Sequence, residues 1–193
     1  MKKKKISQNK KLKAYVIGVA LGDGNLSNSN GRAVRLRVTC DKKYPLLLKH
    51  IKQSVQKMTP ENKVSVIKRK GCFDISCYSN YWEEILGWKA KEGSKSKQKV
   101  SVPKWIKSNR TYAKECLRGL FQTDGSIYKD RKYLMVNFVT EIPTLAKDTF
   151  EMITKIGHKP NIQKLDTKKS QKFTIRISKD AEKFTKDIKL WKK

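Results

Sequence analysis

The segment Val16-Ile17-Gly18-Val19-Ala20-Leu21-Gly22-Asp23-Gly24 recurs in the same frame as Leu117-Arg118-Gly119-Leu120-Phe121-Gln122-Thr123-Asp124-Gly125. Each copy has a glycine at the third place, apolar neighbours, a small residue, and then Asp-Gly. The apolar runs leading in, Tyr15-Val16-Ile17 and Cys116-Leu117, predict two buried helices, with Gly24 and Gly125 as their stops. Any fold for this chain must therefore bury two helices that each end on an acid.

A helix carboxyl end already carries partial negative charge and favours Lys, Arg or His. The chain has 46 Lys and Arg to place there and puts Asp23 and Asp124 there instead. Gly18 and Gly22 are four apart, as are Gly119 and Thr123, so each helix has a strip of small residues along which another backbone can approach closely. If the strips face each other, the axes come to the short end of the usual ~8–10 Å range and the acids meet. Two carboxylates at one spot repel unless a cation lies between them. A hard divalent ion with oxygen ligands resolves this, Mg²⁺ for preference, with Asp23 and Asp124 as ligands and the last-turn carbonyls of Gly22 and Thr123 helping to hold it.

The rest of the chain repeats around this pair. A lysine-rich arm over residues 1–13 is expected to be mobile. In the first repeat, residues 14–88, a motif helix is followed by a loop at Asn25–Gly31. A strand at Ala33–Cys40 then turns Val34, Leu36 and Val38 inward and Arg35, Arg37 and Thr39 outward. Pro45–Met58 carries Leu47, Ile51, Val55 and Met58 at helical spacing. Strands at Val64–Lys70 and Cys72–Tyr78, the second with Asp74, Ser76 and Tyr78 outward, lead to a short helix at Tyr81–Trp88. Residues 89–111 read as a basic linker. In the second repeat, residues 112–193, the order recurs: motif helix, a hairpin through Lys129–Lys132, a strand near Tyr133–Val139 and a helix at Thr144–Ile156. Strands near Asn161–Asp166 and Lys172–Ser178 and a helix at Ala181–Trp191 follow. The expected class is α+β: two αββαββα-like repeats, each an antiparallel sheet with helices on one face, joined through the motif helices.

The formal net charge is +29 over 193 residues, which points to a polyanionic partner. Candidate DNA contacts are Arg35, Arg37, Lys68, Lys70, Lys129, Arg131 and Arg176, where Arg can take guanine or phosphate in a bidentate grip. Four cysteines without metal-site spacing and only two histidines support neither zinc nor a disulfide framework, so the thiols are expected to lie buried in a reducing, intracellular compartment. The lysine-rich start followed by Ala14–Gly22 has the outline of a secretory signal, but a duplicate in the interior argues against removal, and no processed segment is expected. No Ser-His-Asp set, Walker loop or membrane span is apparent.

The pair of motifs resembles the LAGLIDADG signature, and two copies in one chain resemble the single-chain homing endonucleases. On that resemblance Gly18 and Gly119 match the packing glycine, Gly22 and Thr123 the small residue, Asp23 and Asp124 the metal-binding acid, and Gly24 and Gly125 the stop. The variable sixth place holds Leu21 and Gln122. The resemblance implies a monomer whose two sheets form a saddle on double-stranded DNA. It also implies Mg²⁺-dependent cleavage of one phosphodiester per strand of a long asymmetric target, as in intron homing, leaving 5′-phosphates and 3′-overhangs. Mn²⁺ would substitute and Ca²⁺ would bind. Family enzymes carry peripheral residues that position water, and Lys97, Lys99 and Asp41 are the candidates here. The alternatives on the same scaffold are an intron-RNA-binding maturase and a non-catalytic DNA-binding protein. With Met first and no flanking protein-splicing blocks, a free-standing or intron-encoded enzyme is expected over an intein-embedded one.

Overall fold

A computed structural model describes residues 6–28, 31–166 and 171–193. Helix α1 spans Lys10–Asp23, and the Asn9 side chain caps its start by accepting from the Leu12 N–H at 3.1 Å. It runs into strand β1, Gly24–Ser27, and is followed by β2, Arg35–Asp41, and α2, Pro45–Met58. Strands β3, Val64–Lys68, and β4, Cys72–Tyr78, precede the short α3, Trp82–Leu86. A connecting helix α4, Lys104–Lys107, leads to α5, Arg110–Thr123, after which β5, Gly125–Asp130, β6, Tyr133–Thr140, α6, Pro143–Lys155, β7, Asn161–Asp166, β8, Gln171–Ile177, and α7, Ala181–Asp187, complete the second unit. The two sheets have the matching orders β1-β2-β4-β3 and β5-β6-β8-β7, antiparallel throughout. This is the expected α+β architecture of two pseudo-repeats. Among the described residues, no helix is long and apolar enough to cross a membrane.

Helices α1 and α5 form the shared spine. Every residue from Ala14 to Gly22 is buried, so α1 has no polar face and is enclosed by the rest of the fold. The predicted stripe of α2 (Leu47, Ile51, Val55, Met58) faces the interior, as do Leu145, Thr149, Met152 and Ile153 of α6. Asp148 on α6 is buried and fastens the connecting segment, accepting from Ser101 Oγ at 2.6 Å and Val102 N–H at 2.7 Å while pairing with Lys107.

Four expectations are corrected. The N-terminal arm is shorter than expected: residues 10–13 are the first turn of α1, Ile6 packs on the core, and Ser7 N–H donates to Met58 O at 2.9 Å. Residues 1–5 of that arm lie outside the described residues, as do residues 29–30 of the expected Asn25–Gly31 loop. The start of that loop is strand β1, which registers Leu26 opposite Leu36. With one buried apolar residue, Leu26, it has no alternation to announce it, and its pairing with β2 makes it a strand. Asp74 and Ser76 lie on the outward face of β4 as predicted, yet both are buried, because long side chains fold over them: Arg69 Nε lies 2.5 Å from Asp74 Oδ2 and Arg35 Nε donates to Ser76 Oγ at 2.7 Å. The last helix ends at Asp187, four residues short of Trp191, and the remaining segment crosses back to the first unit, where Leu47 N–H donates to Lys193 O at 2.9 Å.

The spine depends on glycine. A Cβ on Gly119 would lie 2.7 Å from Val19 N and 3.0 Å from the carbonyl carbon of Gly18, and one on Gly18 would lie 2.9 Å from the carbonyl carbon of Cys116. Backbone atoms block both, so no rotamer change relieves the overlap. Gly119→Ala is expected to cost about 3 kcal/mol of unfolding free energy, measured by denaturant titration. A loss under about 1 kcal/mol would mean the helices are not held at this separation.

Candidate active site at the helix junction

The close contact continues to the ends of the two helices, where a Cβ on Gly22 would lie 2.9 Å from Thr123 Cβ and 3.3 Å from Asp124 Oδ2. Asp23 is the last residue of α1 and Asp124 the cap of α5, each immediately before the first strand of its sheet. Their carboxyl groups lie side by side, close enough to act directly on each other. Both residues are open to solvent at one side, but the surrounding protein is close enough to disfavour charge. That desolvation pushes the Asp23 carboxyl up to about 7, with the neighbouring Asp124 charge adding to the rise. Desolvation raises Asp124 as well. Crowding the two acids together thus disfavours full charge on both.

Two lysines reach this junction. Lys95 Nζ donates to Ala20 O at 3.3 Å, to Leu21 O at 2.7 Å and to Gly22 O, the exposed carbonyls at the end of α1. Lys192 Nζ donates to Thr123 O at 2.9 Å and to Gly125 O at the end of α5. Burial lowers the pKa of each ammonium, and the charges of Asp23 and Asp124 oppose that shift in both. The helix-end charge conflict visible in the sequence is met by these cations.

The predicted accessory residues Lys97, Lys99 and Asp41 have the following surroundings. Lys97 and Lys99 are exposed, on a turn in which Lys97 N–H donates to Ser94 Oγ at 3.1 Å and Lys99 adopts a left-handed φ of 49°. That turn aims Lys95, two residues earlier, at the acids. Asp41 closes its own turn after β2, accepting from Lys43 N–H at 3.0 Å and pairing with Lys43 Nζ at 3.1 Å, which holds its carboxyl below the usual range. The Gly22 and Thr123 carbonyls are at the junction, each accepting from a lysine. The Thr123 hydroxyl donates back into its own helix, to Gly119 O or Leu120 O. Nothing in the sequence separates Lys95 and Lys192 from the other lysines. Their approach depends on the linker turn and on the tail after α7.

Gln122, at the variable motif place, is buried and bridges the halves: it accepts from Tyr15 Oη at 2.8 Å and donates to Trp191 O at 3.1 Å. Of the predicted DNA contacts, Arg35 and Arg37 share the sheet face opposite the helices with Ser76 and Tyr78, and Arg176 shares the corresponding face with Asn137 and Asn161. Arg35 lies 6.0 Å from the Tyr78 ring centroid. Lys68 registers with Phe73 and Lys129 with Leu134, which puts both on the helix-side parity of their strands. Lys70 is in the β3–β4 turn, and Arg131, with φ 55°, is in the β5–β6 turn.

Comparison with known proteins follows the same lines. The LAGLIDADG-like domain family matches residues 111–189. The structure of I-DmoI in complex with DNA and Mn superposes with a TM-score of 0.68 at 19% identity, covering 93% of this chain and 96% of that one. The N-terminal LAGLIDADG domain of DUF199/WhiA gives 0.63 at 14% identity, covering 97% and 87%. A replication factor C small subunit of Methanocaldococcus jannaschii is 26% identical over an alignment of 159 residues that covers 74% of this chain and 8% of that much longer protein. Residues 111–189 thus match the LAGLIDADG-like domain family, and across both halves the chain has the fold of the homing endonuclease I-DmoI.

Proposed function

We propose that this protein is a site-specific endonuclease that hydrolyses one phosphodiester in each strand of a long, asymmetric double-stranded DNA target, acting as a monomer in intron homing. The observation that carries this is the carboxyl pair of Asp23 and Asp124, brought together where the two motif helices end and the two sheets begin. A binding protein gains nothing from two desolvated acids facing phosphate. The donor set suits a hard cation: two carboxylates and the helix-end carbonyls, with no imidazole or thiolate required. I-DmoI has been crystallised with DNA and Mn and with DNA and Ca, which supports divalent metal use by this fold; Mg²⁺ is the proposed native ion. When bound, such a cation would neutralise phosphate charge and lower the pKa of a bound water.

The chain's own residues would do the rest. Asp23 and Asp124, related by the pseudo-two-fold of the motif helices, would supply one acid per DNA strand. The ammonium groups of Lys95 and Lys192 would draw the scissile phosphates to the junction by charge. Arg35, Arg37 and Arg176, on the open sheet faces, would contact bases or phosphates. Those faces differ in composition, with Arg37 opposite Ser76 in the first sheet and Asn137 opposite Arg176 in the second, so the two half-sites should differ as well. The excess positive charge would make binding steeply salt-dependent through counterion release.

One observation favours a second reading, a DNA- or RNA-binding protein without cleavage: Lys95 and Lys192 already occupy the helix-end carbonyls, so the acids are neutralised without metal. Single substitutions separate the two. Asp23→Asn and Asp124→Asn are each expected to lower target cleavage in Mg²⁺ by about 10³-fold or more while leaving DNA affinity within about tenfold. Wild-type rates in either variant would remove the acids from the reaction. Arg37→Ala is expected to weaken binding by about 1–3 kcal/mol, read by titration against the cognate duplex. Unchanged affinity would place Arg37 outside the interface.

The raised Asp23 carboxyl gives a test that needs no DNA. The folded-state pKa of Asp23 lies at about 7 against an ordinary 3.8, so across that window the folded state binds more protons than the unfolded chain. Stability from this group is complete below the lower value and is lost as pH rises through the upper one. In chelator, the wild-type melting temperature should therefore fall from roughly pH 5 to roughly pH 8, and Asp23→Asn should flatten that fall and raise the value at the alkaline end. Identical profiles for wild type and variant would mean that the two carboxyls are not in contact.

A further inference from the structure

Each lysine at the junction follows its own repeat and returns to the end of that repeat's motif helix: Lys95 comes after α3 and meets α1, and Lys192 comes after α7 and meets α5. The flanking sequences, Ser94-Lys95-Ser96 and Trp191-Lys192-Lys193, have nothing else in common, so the two arrivals share a geometry and not a motif. Both ammonium groups lie within electrostatic reach of both acids. Both also hold carbonyl oxygens, of Gly22 and Thr123, that a cation between the acids would need. An ammonium keeps its acceptor at about 2.8 Å, whereas a divalent ion takes oxygens at about 2.0–2.6 Å. One carbonyl cannot serve both at the same place, and the like charges repel.

We propose that Lys95 and Lys192 are resident counter-ions of the metal-free site, which hold the acid pair and helix ends together and must withdraw when a divalent ion enters. This rests on the metal-dependent reading above. Only the side chains need move, because both backbones are anchored. Around Lys95, the Gln98 amide donates to Lys89 O and Gly93 O at 2.9 Å each. Around Lys192, Trp191 O accepts from Gln122 at 3.1 Å, the Trp191 ring lies 5.5 Å from that of His50, and Lys193 O accepts from Leu47 N–H at 2.9 Å. A DNA phosphate reaching the junction offers each displaced ammonium a new anion, so metal entry and DNA docking favour each other. Lys95 and Lys192 are on this account positioning residues that set the occupancy of the site.

The test uses the DNA-free full chain, with Mn²⁺ as probe and free ion counted by electron paramagnetic resonance. Lys95→Met and Lys192→Met should each tighten Mn²⁺, and the double variant should do so by about tenfold or more. Asp23→Asn should abolish the gain. In parallel, lysine-amine ¹H–¹⁵N spectra of the wild type should show two protected Nζ signals that shift or vanish as Mg²⁺ is added, a readout that survives if a variant fails to fold. Equal or weaker Mn²⁺ affinity in folded variants, or Nζ signals unmoved at saturating Mg²⁺, would overturn the exchange and leave the endonuclease reading standing. No Mn²⁺ binding even in the folded double variant would overturn both.

Discussion

The backbones of α1 and α5 touch where Gly18 and Gly119 leave no side chain between them, and the remaining features of the site follow from that contact. Because the approach continues to Gly22 and Thr123, the helices end together, and the acid following each is delivered to one place. This arrangement is costly by itself. Two partly desolvated carboxyls meet beside two helix carboxyl ends, and all four features carry negative charge. The structure answers with a lysine at each helix end, and the crowding itself disfavours full charge on both acids. The apolar burial of α1 along nearly its whole length holds the strained junction in place. In such sites the fold supplies the stability and the functional groups draw on it.

The duplication is symmetric in backbone and unequal in side chains. Both halves share strand order and helix placement, yet the sixth motif place is Leu21 in one and Gln122 in the other. Gln122 is not a failed copy of an acid. Its amide bridges Tyr15 of the first motif helix and the carbonyl of Trp191 in the tail, so this one side chain joins three segments at the centre of the molecule. Arg118 lies over the Tyr15 ring at 4.9 Å, and burial drives the Tyr15 phenol well above its ordinary range, which keeps it a hydrogen-bond donor. Inequality at the core and on the open sheet faces suits a substrate whose two halves are not identical.

The legible parts of this fold were those written in periodicity. The stripe of α2, the alternation of β2 and the doubled motif all had a period to detect, because each element buries one face. Strand β1 had none: four residues long with a single buried apolar side chain besides its first glycine, it is defined by pairing with β2. The acids were legible because their location contradicts helix electrostatics. Lys95 and Lys192 were not, since in a chain with 46 Lys and Arg no composition or spacing distinguishes a lysine that turns inward. What selects them is the conformation of the Ser94–Lys99 turn and the path of the residues after Asp187, both set by tertiary contacts.

The charge of the whole chain bears on how such a site is filled. A net charge of +29 draws a polyanion and repels a free divalent cation, and at the junction two ammonium groups sharpen that repulsion within the ~8 Å over which salt leaves charges unscreened. Metal entering the DNA-free junction works against this potential. Once duplex lies along the open faces, its phosphates reverse the sign of the local field and give the lysines other partners. A protein that must hold a reactive metal centre only when DNA is present needs no moving lid under these conditions. On the exchange proposed above, the positive field and the two lysine side chains weaken divalent-ion binding in the free protein, and a bound polyanion strengthens it.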